Sequence, residues 1–275
     1  MPRPGLPKLI VTDLDGTVVR SDDTVSAYTR SVLARVRAAG VPVVGATGRG
    51  PRLLDLTRRD LPVAEYLVMA GGGCVFELTE PPARLREVRL DGPSIAALLD
   101  ELEVVAGRLS VMVEVLDHPY APLLGELHPS WPWPERVVQM PWARALELEQ
   151  GIIKVFVRAD GLEVDELLQL AQQVIPPAKA TLTQAGLGFM EICPPGVDKS
   201  TGLRVVAEAL GVDPADVLAF GDMPNDLPMF GWAGWGRVAV GNAHPSVLAL
   251  ADEVTLTNDQ DGVAVYLDRL FPAKD

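Results

Sequence analysis

Aromatic side chains make up only 5% of this 275-residue chain, and cysteine is scarcer still, with two. Cys74 and Cys193 stand far apart and lack the close spacing of metal-ligand pairs, which argues against a disulfide framework and against a zinc site. Both lie in apolar, strand-like contexts that suit buried, inert thiols. No apolar run approaches the length needed to cross a bilayer. The opening Met1-Pro2-Arg3-Pro4-Gly5 leads straight into a strand, leaving no room for a charged region, an apolar signal core and a cleavage site. The expectation is a cytoplasmic protein with no membrane partner. Basic charge is also in deficit, 24 Lys and Arg against 37 Asp and Glu, for a net charge of −13 and a pI near 4.7. An acidic surface repels a phosphate backbone and no basic patch offsets it, so nucleic acid is excluded as the expected partner. Internal repeats, low-complexity tracts and charge blocks are missing too.

What is present is a chain that is 48% hydrophobic, enough to pack one or two globular domains. Its organising stretch is Val11-Thr12-Asp13-Leu14-Asp15-Gly16-Thr17-Val18. Residues 8–12 read as a short buried strand that ends on two carboxylates. Alternation along an extended chain sends Asp13 and Asp15 the same way if the strand continues through them. Like charges that converge need a cation or a shared proton, and the plain expectation is a hard, oxygen-liganded ion such as Mg²⁺. Gly16 permits a tight turn and Thr17 adds a hydroxyl. Taken alone, the same string reads equally well as a polar turn closing a strand.

Downstream, residues 26–39 carry Val32, Leu33 and Val36 at helical spacing, with Gly40 placed as a stop. A buried strand at 41–46 follows, which suggests a right-handed parallel crossover, and it empties into Thr47-Gly48-Arg49. Thr47 lies at a strand's C-terminal end, where open α/β sheets bind ligands, but it also reads as an N-cap for a helix over 51–59. A third strand at 66–70 runs into Gly71-Gly72-Gly73 and a hairpin-like 74–77. Near the other end, Asp198 reads as an N-cap for a helix running to Leu210. Lys199 lies in its first turn, where a cation opposes the helix dipole and a bland surface role is less natural than usual. A strand at 216–220 then ends in Gly221-Asp222-Met223-Pro224-Asn225-Asp226.

Between these segments the pattern changes. A strand at 85–90, a helix at 93–109, a strand at 111–116, an irregular stretch at 117–141, a strand at 152–157, a helix at 164–175 and a hairpin from 180–183 and 188–192 form a self-contained α/β unit. The irregular stretch gathers His118, Tyr120, His128, Trp131 and Trp133. It either packs on its own domain or helps to choose a substrate.

Asp-Leu-Asp-Gly-Thr, Ala-Thr-Gly-Arg, Lys199 at a helix start and Gly-Asp-Met-Pro-Asn-Asp, in that order, resemble the four motifs of the haloacid dehalogenase superfamily, in its Cof-like branch. The resemblance spans nearly the whole chain. It implies a doubly wound parallel-sheet (Rossmann-like) α/β core from residues 1–81 and 194–275, with an inserted α/β cap at 82–193. It implies a phosphatase for small-molecule phosphate esters, with Asp13 as nucleophile and Asp15 as general acid and base. Mg²⁺ would be held by Asp13, the Asp15 carbonyl and Asp222. Thr47, Gly48, Lys199 and Asn225 would bind phosphate and Asp226 would support them. Asn242 and the segment 257–263 read as structural turns, with Asn242 a candidate for the site's edge. Gly71 departs from the pattern, which has Asn there, so a polar contact is missing or supplied elsewhere. A phosphomutase of the same superfamily and a catalytically idle phospho-ligand sensor remain alternatives. Monomer and homodimer are both open.

Overall fold

The computed structural model describes residues 5–116, 123–129, 131, 137–148 and 151–273. The chain divides into two compact units. The first takes the N-terminal part up to Arg86 and the C-terminal part from Lys199, apart from Gly50–Arg52, which group with Glu87–Asp198 as the second.

The first unit begins with β1 (Leu9–Thr12), α1 (Ala27–Ala38), β2 (Val43–Ala46), α2 (Leu54–Asp60), β3 (Tyr66–Met69), β4 (Cys74–Glu77) and β5 (Ala83–Glu87). Elements of the second unit come next: α3 (Gly92–Ala106), β6 (Leu109–Val115), β7 (Leu123–Gly125), β8 (Val137–Gln139), α4 (Trp142–Leu148), β9 (Ile152–Ala159), α5 (Val164–Val174), β10 (Thr181–Gln184) and β11 (Met190–Cys193). The chain then returns through α6 (Lys199–Leu210), β12 (Val217–Gly221), α7 (Leu227–Trp232), β13 (Gly236–Ala239), α8 (Pro245–Leu250), β14 (Glu253–Val254) and α9 (Gly262–Leu270).

In the first unit the strands form one sheet in the order β14-β13-β12-β1-β2-β3-β4-β5, parallel from β14 through β3 and antiparallel between β3 and β4. Its central strands are apolar without alternation because both faces are covered. Leu9, Ile10 and Val11 pack with Val32, Leu33 and Val36 of α1, Leu203 and Val206 of α6, and Val263 and Leu267 of α9. Local signals set the boundaries. The Ser26 hydroxyl accepts from the Thr29 N–H at 2.9 Å to start α1, and Gly40, at φ +84°, lets the chain turn after it. From β1 the chain winds one way to β2 and β3, and from β12 the other way to β13 and β14. The order therefore reverses between β1 and β12, and a crevice at the carboxyl ends of these two strands is where such sheets bind ligands.

The second unit is a six-stranded sheet, β10-β11-β9-β6-β7-β8, antiparallel except between β7 and β8. Alternation divides its faces. Val111, Val113, Val155 and Val157 pack against Ile95, Leu99 and Leu102 of α3, Ala145 and Leu146 of α4, and Leu167 and Ala171 of α5. Met112 and Phe156 face the other way, with Leu123, Trp131 and Phe189. Trp131 meets Phe156 and Phe189 edge-on, at ring-centroid distances of 5.0 and 5.4 Å, so it packs within its own unit. His118, Tyr120 and Trp133 lie outside the described residues. Glu114 stands opposite Lys154 in register, and the Lys154 ammonium donates to Glu191 Oε2 at 2.9 Å, all three residues being buried.

Three elements differ from the expectation. The strand expected at 85–90 as part of the inserted unit is β5, five residues from Ala83 to Glu87, at the edge of the first unit's sheet. The stretch expected to be irregular contains β7 and β8, strands of three residues each, too short to register as a period. The helix over 51–59 begins as a 3₁₀ turn at Pro51–Leu53, too far along the chain for Thr47 to cap it. Both cysteines are buried and neither forms a disulfide, and burial pushes the Cys193 thiol up to about 12.

Candidate active site

Asp13 follows β1 directly, and its N–H donates to the Phe220 carbonyl at 3.0 Å, which ties the end of β1 to β12. Asp222 follows β12 in the same way. Lys199, first residue of α6, sends its ammonium to Asp13 Oδ1 at 2.5 Å and to Asp226 Oδ1 at 2.6 Å. The other oxygen of Asp226 accepts the backbone N–H groups of Asp222 and Met223, at 2.9 and 3.0 Å. Asp226 thus folds the turn after β12 and anchors the lysine, with both oxygens occupied. Carboxylate oxygens of Asp13, Asp222 and Asp226 lie within 4.8 Å of one another. The cation that opposes the α6 dipole is explained: two buried carboxylates, Asp13 and Asp226, hold it.

Thr17 donates its hydroxyl to Asp222 Oδ1 at 2.6 Å. Gly16 is required twice at this point. Its φ of +81° is left-handed, and a Cβ would collide with Asp222 Oδ2. A Cβ at Gly221 would come within 2.6 Å of Asp226 Cγ, so Gly221 leaves room for the anchoring carboxylate. Asn242 donates to the Gly16 carbonyl at 2.8 Å and accepts the Asn258 N–H at 2.9 Å. Asn258 in turn donates to the Val19 carbonyl at 3.0 Å. Asn242 therefore steadies the turn after Asp15, and the segment read as a structural turn supplies a second brace.

The Thr47 hydroxyl accepts the Arg49 N–H at 3.0 Å, which folds Thr47-Gly48-Arg49 into a compact turn. Gly71 donates its N–H to the Thr47 carbonyl at 3.1 Å and Ala70 donates to the Arg49 carbonyl at 2.8 Å, so the loop after β3 holds the loop after β2. Gly71 has φ +63°, a left-handed conformation that asparagine also tolerates. Backbone shape gives a physical account of why either residue serves there. The Arg49 guanidinium, not anticipated from sequence, grips both oxygens of Asp15, Nε to Oδ2 at 2.8 Å and Nη2 to Oδ1 at 2.6 Å. Its third nitrogen reaches Asp60 at 2.6 Å. The adjacency of Arg49 to Thr47 was the available signal for it. Asp60, beside Arg58 and Arg59, gave none.

Charge in this site is unbalanced. Burial, opposed by the Lys199 charge and reinforced by Asp226 and Asp222, pushes the Asp13 carboxyl well above the usual carboxylate range. Burial and then the Asp226 charge raise Asp222 to about 7. Lys199 is held above its ordinary value because Asp13 and Asp226 outweigh its burial. Three carboxylates against one ammonium leave two negative charges uncompensated, and every available donor is a hard oxygen, so the residues fit a divalent cation. Asn225 is 7% exposed, and its Oδ1 has no hydrogen-bond partner among the described residues, a buried acceptor left open beside the acids.

The strand order reverses between β1 and β12, and Asp13, Asp222, Asp226 and the buried Lys199 cluster at the carboxyl ends of these strands. The sequence matches the family of haloacid dehalogenase-like hydrolases over residues 10–267, and the chain belongs to it. Within that family it is a phosphatase of the Cof-like branch, with a Rossmann-like core and an inserted α/β cap. It is 28% identical to the 5-amino-6-(5-phospho-D-ribitylamino)uracil phosphatase YwtE of Bacillus subtilis, over 96% of this chain and 98% of that one. A solved haloacid dehalogenase-like hydrolase from Bacteroides thetaiotaomicron superposes with a TM-score of 0.75 at 27% identity, covering 96% of this chain and all of the other. The subclass IIB sugar phosphatase BT4131 shares the fold at a TM-score of 0.78 and 19% identity, over 96% of this chain and 98% of its own.

Proposed function

We propose that this chain hydrolyses a small-molecule phosphate monoester, a sugar phosphate or a phosphorylated cofactor, with Mg²⁺ and through a phosphorylated Asp13. The observation that carries the proposal is the convergence of Asp13, Lys199, Asp222 and Asp226, from three separate elements, within 2.5–2.6 Å of the lysine or within 4.8 Å of one another. Phosphate monoesters resist hydrolysis in water, so a site must place a nucleophile in line and offset negative charge.

Asp13 attacks phosphorus and displaces the leaving oxygen, to which Asp15 gives a proton. Asp15 then takes a proton from water, which attacks the phosphorus and releases inorganic phosphate and the free Asp13 carboxylate. Lys199, Thr47, Gly48 and Asn225 bind the phosphoryl oxygens, and Asp226 keeps Lys199 in place. Asp13, the Asp15 carbonyl and Asp222 are the residues that would hold Mg²⁺, which when bound screens the nucleophile from the anion it attacks. The second unit acts as the cap that selects the organic part of the ester.

The relatives that act on a phosphorylated ribitylaminouracil and on sugar phosphates support a phosphorylated metabolite with a polyhydroxylated portion. A Mg²⁺-dependent phosphate-release screen over sugar phosphates and phosphorylated cofactors tests the reading. Asp13→Asn is expected to abolish turnover, and a chelator to abolish it until Mg²⁺ is restored. Retained Mg²⁺-dependent turnover in Asp13→Asn would remove the nucleophile assignment.

A further inference from the structure

Asp60 occupies the last position of α2 and is 4% exposed. A carboxylate at a helix C-terminus meets the negative end of the dipole, and burial adds a desolvation cost, so this placement needs a partner. The partner is Arg49, whose Nη1 lies 2.6 Å from Asp60 Oδ2, with both side chains almost wholly buried. Arg59 approaches the other Asp60 oxygen only to 3.9 Å and is itself largely exposed, which makes it a weak contributor.

The remaining nitrogens of Arg49 reach the two oxygens of Asp15. A guanidinium is planar and its donors are fixed relative to one another, so anchoring one nitrogen sets the plane and direction of the other two. Asp15 is the more exposed partner, at 36% of its side chain. Among the described residues no other side chain hydrogen-bonds its carboxylate. The orientation of the Asp15 carboxyl is therefore handed down from Asp60 through Arg49. Each Asp15 oxygen still has a lone pair free, because a carboxylate offers about four acceptor sites and the fork takes two. The fork orients the group and leaves it able to exchange a proton.

We propose that Asp60 is a positioning residue for acid–base chemistry: through Arg49 it holds the Asp15 carboxyl in the orientation that delivers a proton to the leaving oxygen. This rests on the reading of Asp15 as the general acid.

The test compares kcat/KM, with Mg²⁺, on p-nitrophenyl phosphate, whose leaving group departs without a proton, and on benzyl phosphate, whose alkoxide needs one. General acid–base catalysis contributes roughly 10²- to 10⁴-fold, and loss of orientation should forfeit part of it. For Asp60→Asn the expectation is a fall of about tenfold or more on benzyl phosphate and less than about threefold on p-nitrophenyl phosphate. Arg49→Lys keeps the charge but loses the fork and should give the same selective loss. It also serves if Asp60→Asn fails to fold, which circular-dichroism melts would reveal. Equal losses on the two esters, or none on either, in the folded variant would overturn the proposal. Asp15→Asn separates the two ways of failing. A selective loss in Asp15→Asn beside a uniform one in Asp60→Asn refutes the positioning role alone. A uniform loss in Asp15→Asn refutes the acid assignment and the positioning role with it.

Discussion

At the scale of the residue, Asp222 couples the site to pH. Burial and the neighbouring Asp226 charge raise its carboxyl to about 7, and under the proposed function a divalent ion held by Asp222 must displace that proton to bind. Affinity for Mg²⁺ should therefore weaken as pH falls below about 7, approaching a tenfold loss per pH unit for one displaced proton. Titration calorimetry at several pH values would read this directly, and an affinity unchanged between pH 8 and pH 5 would contradict it. The sign for metal-free stability follows from the same shift. Between the ordinary carboxylate value of 3.8 and about 7, the folded state binds a proton that the unfolded chain has lost. The contribution of Asp222 to stability is thus largest below that window and declines as pH rises through it. Gly16 offers a second check. Gly16→Ala imposes a left-handed backbone on a residue with a Cβ, a cost of about 1–2 kcal/mol, and drives that Cβ into Asp222. Both a lower melting temperature and a weaker Mg²⁺ response are expected. An unchanged Mg²⁺ response would mean that Asp222 tolerates displacement.

At the scale of the element, the second unit's sheet carries an ionic pair in its interior. Lys154 of β9 and Glu191 of β11 are joined at 2.9 Å with almost no exposure. Removing one member strands the other, so Lys154→Met should cost about 3–5 kcal/mol in urea unfolding. Combining it with Glu191→Leu should recover much of that loss, and a strictly additive double variant would argue against coupling between the two. Sequence gave little notice of this pair, because alternation along β9 and β11 marks a face without saying whether water reaches it. The core strands were legible for the opposite reason: β1, β2, β3 and β12 are mostly apolar runs that lead into Asp13, Thr47-Gly48, Ala70-Gly71 and Asp222 respectively. Asp13 and Asp15 were expected to converge on one side of a continuing strand, but β1 ends at Thr12, Asp13 meets Asp222 and Asp226, and the Asp15 carboxylate turns to Arg49 instead. The loop chemistry was hidden where the partner came from elsewhere, as with Asp60, whose neighbours Arg58 and Arg59 suggest a solvated helix end. Gly71 illustrates a third case. It read as a polar contact missing or supplied elsewhere, and the structure shows a left-handed turn whose backbone N–H donates to the Thr47 carbonyl.

At the scale of the whole molecule, each unit has a hydrophobic core of its own. A fragment spanning residues 87–198 should consequently fold alone and melt cooperatively, as followed by circular dichroism. A fragment lacking a cooperative transition would show that its core needs the rest of the chain.

The first unit has no such independence in time. Asp13 and β1 are translated well before Lys199 and the strand that must lie beside β1, and 205 residues separate Thr17 from Asp222. Until β12 arrives, β1 presents an unpaired apolar edge, and Asp13 lacks both Lys199 and Asp222. A nascent chain therefore carries an incomplete site until β12 is made, and an unpaired strand edge of this kind is prone to aggregation over the same interval.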